Sequence, residues 1–290
     1  LSNSIYNYAG IEFNINSYKQ LGDILFDKLG IPSNKKRSTD REYLIKYKDK
    51  YPIIPKILEY KMLQKINTTY VVGLQNYILS DGYIHTIYTQ TLTRTGRLSS
   101  TEPNLQNIPM RYEYGKLVRK AFLPSNNLLM SVDYSQIELR IFAHFSKVPN
   151  LIDAFKNNMD IHTKTAMDLF KVEQNEVTSL MRRQAKAVNF GILYGISSFG
   201  LSENLDVDVN EAKKFIDKYL ETFPGIKKYM DDVIKDAHEK GYVETFLGRK
   251  RVIDELSNKN YMIRSSGERM ALNTPIQGSS ADIIKKAMVE

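Results

Sequence analysis

Between about residues 150 and 240, apolar side chains recur at helical spacing almost without a break. No other feature limits the fold as much, because a stretch this long needs several helices packed on one another. On either side the period changes. After the turn signal Asp81-Gly82, "YIHTIYTQT" alternates apolar and polar residues, the period of a half-buried strand. "NNLLMSVDYS" is a continuous apolar run ending in Asp133, which predicts a buried strand with a carboxylate at its mouth. "FLGRKRVI" reads as a short hairpin, and the close of the chain is helical. With no repeats, low-complexity tract or long linker, the order is α+β, with distant segments meeting in the fold.

Residues 1–75 alternate helical patterns with lysine-rich connections. Lys35, Lys36 and Arg37 form a basic loop, with Ser38 and Thr39 as caps for the next helix. "KILEYKMLQKINTTYVVGL" predicts a long helix whose lysines line one solvated face. The net charge of +8 favours an anionic partner, and 42% hydrophobic residues allow a real core. The absence of cysteine excludes disulfides and thiolate metal sites and suits an intracellular protein. No apolar run reaches the ~18 residues of a membrane span, and no signal peptide opens the sequence. The final "ADIIKKAMVE" stops inside an amphipathic pattern, with Ile283, Ile284, Ala287 and Met288 in helical register, as in a piece cut from a longer chain.

"RRQAKAVNFGILYG" places Arg182, Lys186, Phe190 and Tyr194 four residues apart, so on a helix they form one slowly drifting stripe. Thr178 or Ser179 caps the start, which puts both cations near the positive end of the helix dipole, where they destabilise it. A bound polyphosphate reverses that sign, and the two rings further on can stack on an attached base or sugar. The alternative is a surface helix with solvated cations and packed rings. Gly191 costs roughly 1 kcal/mol relative to alanine in mid-helix, and broken local rules of this kind tend to mark functional sites.

Asp133, at a strand end, suits a hard cation such as Mg²⁺, or else caps the next turn. Ser135 to Glu138 fits a capping box in which Glu138 reaches back to the Ser135 amide.

These segments carry a resemblance. "SVDYSQIELR" and "RRQAKAVNFGILYG" resemble motifs A and B of family A DNA polymerases, the bacterial DNA polymerase I type. "TGRLSSTEPNLQNIP" and "RMALNTPIQGSSADIIKKAM" resemble two further blocks in the same order, and the resemblance covers essentially the whole chain. It implies a right hand with a helical thumb (1–75), an antiparallel-sheet palm (76–147 and 264–290) that is incomplete here, and helical fingers (148–263).

By the same resemblance, Asp133 and the Tyr134 carbonyl bind two catalytic Mg²⁺ ions, with Mn²⁺ able to substitute. Arg182, Lys186 and His162 hold the triphosphate, Lys186 also serving catalysis, although His162 taken alone reads as an ordinary surface histidine. Phe190 stacks on the nucleotide, and being Phe rather than Tyr it points to discrimination against dideoxynucleotides. Tyr194 lies beside the nascent pair, and Gln136 is placed with the nucleotide. Glu138 fills the space of a ribose 2′-hydroxyl. Arg97, Asn104, Gln106 and Asn107, and on a second stripe Arg269, Asn273 and Gln277, contact primer and template, where the minor groove permits a shape check without sequence preference. Pro275 is expected to end or kink its helix. Implied partners are primer–template DNA and deoxynucleoside triphosphates, with no membrane and a monomeric protein.

The resemblance stops short of one motif. The family's second metal-binding carboxylate belongs to a His-Asp-Glu hairpin, and no His-Asp-Glu occurs here. Two ions ~3.5–4 Å apart need more than one carboxylate. The 290 residues alone are therefore expected to be inactive or nearly so, and the parent to add deoxynucleotides to a primer 3′ end. The alternatives are a non-catalytic DNA-binding module and a single-subunit RNA polymerase; Glu138 and Phe190 argue against the second.

Overall fold

The computed structural model describes residues 1–110, 113–205 and 207–290. They form two compact units, Leu1–Tyr88 with Ser100–Met130, and Thr89–Ser99 with Ser131–Glu290.

The first unit is built from α1 (Ser2–Ala9), α2 (Tyr18–Gly22), α3 (Arg41–Leu44) and α4 (Ile53–Lys65). Ile5, Leu21, Leu25, Leu44, Ile54 and Ile57 make its core. α2 runs on as a π turn to Lys28, and α4 continues as π (Ile66–Val72) and then 3-10 turns (Gly73–Tyr77). The predicted long helix thus exists with a changing hydrogen-bond period. Its lysine face is not wholly solvated. The Lys61 ammonium is part-buried, donates to the Thr39 carbonyl at 2.7 Å, and has its pKa lowered by burial.

The helix after the basic loop is four residues long with Asp40, not Ser38 or Thr39, in the cap position. Ser38 instead donates to Asp40, and Thr39 is buried. Arg37 is tied to Asp27 at 2.8 Å and to Asp23 at 3.4 Å, so one of the three loop cations has local partners. The alternating segment yields only β1 (Ile87–Thr89), paired with β2 (Ser99–Thr101), and an isolated bridge between Ile78 and Ile84 around the Asp81-Gly82 turn. α5 (Glu113–Lys120) completes this unit.

Residues 127–136 are not a strand. Leu128, Leu129, Met130 and Val132 are 73–90% exposed on an irregular segment. An apolar run becomes a buried strand only when a neighbour takes up its backbone N–H and C=O groups, and no described strand pairs with it.

The second unit is helical: α6 (Ile137–Ser146), α7 (Pro149–Lys156), α8 (Ile161–Phe170), α9 (Ser179–Leu193), α10 (Ser198–Leu205), α11 (Val209–Thr222) and α12 (Pro224–Lys240). Val188, Ile192, Phe142, Leu201, Tyr219 and Phe223 anchor a shared core. The expected hairpin is present as β3 (Tyr242–Glu244) and β4 (Lys250–Val252), antiparallel with Tyr242 opposite Val252. α13 (Tyr261–Val289) closes the chain. Pro275 neither ends nor breaks it, because packing on the rest of the unit buries both Pro275 and Ile276.

Arg249 fastens the turn before β4 to two other segments. Its guanidinium donates to the Thr95 and Gly278 carbonyls at 2.8 and 3.1 Å, and its Nε to Asp282 at 3.0 Å. It occupies the space that a Cβ on Gly96 or Gly278 would need, at 2.5 and 3.0 Å. The loop that carries Arg97 is thereby tied to the turn before β4 and to α13.

Candidate functional site

α9 begins as its sequence requires. Thr178 is the N-cap, and its hydroxyl accepts from the Met181 amide at 3.2 Å. Ala185, Val188, Asn189 and Ile192 face the core, while Arg182 and Lys186 lie on the exposed side. The helix ends with Tyr194 as its C-cap, one residue past the last helical turn. Gly195 is left-handed, with φ 63°; its amide donates to the Ile192 carbonyl, and the Ile196 amide to the Gly191 carbonyl at 2.8 Å. This is a Schellman ending.

Gly191 has a structural reason that the sequence did not disclose. A Cβ there would meet Ile196 Cγ2 at 2.6 Å, so glycine lets Ile196 fold back over the helix end. Gly191 therefore serves the termination of α9.

Phe190 and Tyr194 stack on each other, with centroids 6.4 Å apart and planes at 20°. Arg182 reaches Asp160, whose Oδ2 accepts from Nη2 at 2.5 Å and from Nε at 3.2 Å. Asp160 also caps α8, with Oδ1 accepting from the amides of His162 and Thr163. Burial pushes its pKa up, yet the net shift is downward because Arg182 and those amides favour the carboxylate. Lys186 is exposed and makes no ion pair among the described residues.

His162 is buried rather than on the surface, at 4% exposure. Its ring lies 5.7 Å from that of Phe190, and Nδ1 is 3.2 Å from Asn189 Nδ2. Burial lowers its pKa; Asp160 opposes the shift, and Arg182 and Lys186 add to it.

Glu138 does not form the expected capping box. The N-cap of α6 is Gln136 in the left-handed region, with no side-chain cap bond. A residue in that conformation turns the chain so that Glu138 faces inward. Arg97 donates to its Oε1 and Tyr194 to its Oε2. Burial, followed by the bond to Glu138, raises the Tyr194 phenol far above its ordinary pKa. Glu138 thereby joins the Arg97 loop, α6 and the end of α9.

Asp133 and Tyr134 lie on the exposed segment before α6. Arg269 packs against the end of α9: a Cβ on Gly195 would lie 3.1 Å from Arg269 Cγ, and its Nη1 donates to Ser265 at 3.0 Å. Asn273 Oδ1 is buried without a partner among the described residues, and Gln277 is half-buried. Asn104, Gln106 and Asn107 belong to the first unit. There Asn104 accepts from the Gln106 amide at 3.0 Å, and the Asn107 carbonyl accepts from Tyr70.

Three residues that shape the site were not singled out from the sequence. Asp160 had a usable signal, an aspartate just ahead of a helical pattern. Asn189 had a weaker one, a polar residue inside the apolar stripe of Val188 and Ile192. Arg249 had none, since its partners are remote in sequence.

The sequence profile of DNA polymerase family A matches residues 1–290. The chain belongs to that family. It is 57% identical over 293 residues to DNA polymerase I of Bacillus subtilis (strain 168), covering 99% of this chain and 33% of that one. It is 54% identical over 299 residues to DNA polymerase I of Streptococcus pneumoniae serotype 4, covering 100% and 34%. The chain thus spans about a third of the length of these relatives. Among solved structures it matches the POL domain of Pol1 from M. smegmatis, in complex with DNA primer-template and dNTP. The TM-score is 0.93 at 42% identity, over 99% of this chain and 52% of that one. The fold is accordingly the α+β right-hand polymerase fold, mostly helical with small antiparallel sheets. No helix among the described residues is long and apolar enough to cross a membrane.

Proposed function

We propose that the chain is the nucleotide-selecting part of a DNA-directed DNA polymerase, which adds deoxynucleotides to a primer 3′ end under the direction of a template. The observation that carries this reading is the order of side chains along α9. Exposed cations, Arg182 and Lys186, come first and the stacked rings of Phe190 and Tyr194 second. Family membership and the primer–template and dNTP in the M. smegmatis relative support it.

In this reading a triphosphate lies along α9 with its phosphates toward the helix N-terminus. Arg182, Lys186 and His162 hold it and offset the charge that develops as pyrophosphate leaves. Asp160 keeps the Arg182 guanidinium in place beforehand. Phe190 supports the sugar or base, and Tyr194, Gln136 and Glu138 bound the nascent pair, Glu138 at the position of a 2′-hydroxyl. Arg97, Asn104, Gln106, Asn107, Arg269, Asn273 and Gln277 meet primer and template. Residues 1–75 act as thumb, 76–147 and 264–290 as palm, and 148–263 as fingers, in a monomeric, intracellular protein.

Polymerases of this family are metal-dependent. Among the described residues no three His, Asp or Glu side chains are grouped to hold an ion, and Asp133 stands on an exposed irregular segment. One carboxylate does not fit a two-ion site by itself. Asp133 and the Tyr134 carbonyl would contribute to such a site, for Mg²⁺ or Mn²⁺, together with further carboxylates.

The test is primer extension by the whole native protein with deoxynucleotides and with ribonucleotides, in wild-type form and as Asp133→Asn and Glu138→Ala. Template-dependent extension that Asp133→Asn abolishes, with ribonucleotide use rising in Glu138→Ala, supports the reading. Primer–template binding without extension favours a DNA-binding module, and a preference of the wild type for ribonucleotides favours an RNA polymerase.

A further inference from the structure

His162 and Asn189 lie on different helices, α8 and α9, and meet inside the second unit. Asn189 is 1% exposed, and its amide is engaged on every side. Nδ2 donates to His162 Nδ1 at 3.2 Å and to Thr165 Oγ1 at 3.0 Å, while Oδ1 accepts from the Thr165 hydroxyl at 3.2 Å. Thr165 is completely buried. The Thr165 hydroxyl lies against both ends of the amide, so the contact that distinguishes its two orientations is the one between Nδ2 and His162 Nδ1.

An imidazole nitrogen that accepts a hydrogen bond carries no proton, so the proton of a neutral ring sits on the other nitrogen. His162 Nε2 has no hydrogen-bond partner among the described residues. A phosphate presents acceptors only, and a histidine that serves it must offer an N–H.

We propose that Asn189 is a positioning residue that holds His162 as its Nε2–H tautomer, so that the ring gives the triphosphate a neutral hydrogen-bond donor beside the charged Arg182 and Lys186. This rests on the nucleotide reading of the same site and adds to it the residue that fixes the donor. The groups around the ring agree. Arg182 and Lys186 on α9 disfavour a second proton, as does burial; Asp160 at the start of α8 favours one, but its carboxylate is engaged by Arg182 and two backbone amides. Thr165 and the Phe190 ring complete the surroundings without charge.

The opposite orientation of the Asn189 amide would set Oδ1 against Nδ1. That would put the proton on Nδ1 and leave Nε2 a lone pair, which a phosphate repels. The amide therefore decides whether His162 can act at all.

The experiment is long-range ¹H–¹⁵N correlation spectroscopy of the whole native protein with ¹⁵N-labelled histidine rings, without nucleotide, the His162 signals being assigned by their loss in His162→Gln. The expected wild-type spectrum has an unprotonated Nδ1 and a protonated Nε2. Asn189→Asp is expected to place a proton on Nδ1, and Asn189→Ala to give a mixture of tautomers. In primer extension Asn189→Asp, like His162→Gln, is expected to raise the KM for deoxynucleotide roughly tenfold, the worth of one hydrogen bond to a charged group, and Asn189→Ala only about twofold, because part of its population keeps the Nε2–H tautomer. A wild-type spectrum with the proton on Nδ1 overturns the proposal, the ring being assigned by its through-space contact with Phe190 where His162→Gln fails to fold, and so does an Asn189→Asp spectrum unchanged from wild type. If the spectra are as expected but His162→Gln leaves KM unchanged, the tautomer is upheld and the assignment of His162 to the triphosphate fails.

Discussion

Tyr194 and Arg97 divide one buried carboxylate between them: the phenol donates to Glu138 Oε2 and the guanidinium to Oε1. Three segments remote in sequence are joined at that point. A carboxylate that is 9% exposed needs both partners, since loss of either leaves an acceptor buried and unpaired. Tyr194→Phe is expected to destabilise the protein by about 1–3 kcal/mol in urea denaturation. A change near zero would show that Arg97 alone satisfies Glu138.

The end of α9 allows a test of opposite signs. Helix propensity alone says that Gly191→Ala stabilises by roughly 1 kcal/mol. The 2.6 Å approach to Ile196 says that it overpacks and costs about 1–3 kcal/mol. With Ile196→Ala as background the clash is gone, and the same substitution is expected to stabilise. Stabilisation in both backgrounds would remove the structural account of Gly191.

Arg249 and Asp282 form a largely buried pair, with the Asp282 side chain 11% exposed and its Oδ2 unpartnered among the described residues. Arg249→Met strands that carboxylate and is expected to cost about 3 kcal/mol. Adding Asp282→Leu is expected to recover much of the loss in thermal or chemical denaturation. An undiminished cost in the double variant would assign the effect to the lost bonds to Thr95 and Gly278 instead.

The pH dependence of His162 has a definite sign. Its pKa is lowered from 6.5 by burial, with Asp160 opposing and Arg182 and Lys186 adding to the shift. As the pH falls below 6.5 the unfolded chain takes up a proton that the folded ring refuses. The stabilising contribution is therefore complete above 6.5 and lost as the pH falls through the lower, folded value. His162→Gln is expected to flatten the stability profile in that window, measured as the difference from wild type. Parallel profiles would show that the ring titrates as it does when unfolded.

How much of this was legible in the sequence depended on whether the deciding neighbour was local. α9, its Thr178 cap and the β3–β4 hairpin follow from periodicity, cap chemistry and a turn, all within a few residues. The Glu138 capping box and a helix end at Pro275 were also local rules, and the fold follows neither: Arg97 and Tyr194 claim the carboxylate, and α13 runs on past the buried proline. The 128–132 strand failed for the same reason, because an apolar run has no strand pairing of its own without an adjoining edge. In the site, the Arg182 to Tyr194 stripe was readable because the helix period puts it on one face. Asp160, Asn189 and Arg249 act through partners that only the folded chain brings near.

The claim on which the account turns is that the exposed cations of α9 receive a triphosphate. The most direct test is single-turnover deoxynucleotide addition by the whole native protein, comparing apparent nucleotide affinity in wild type, Arg182→Ala and Lys186→Ala. Each charge-assisted bond is worth about 1.5–3 kcal/mol, so each variant is predicted to weaken triphosphate binding by roughly tenfold or more, while primer–template affinity changes little. Unchanged nucleotide affinity in both variants would contradict the account and leave α9 a surface helix with solvated cations.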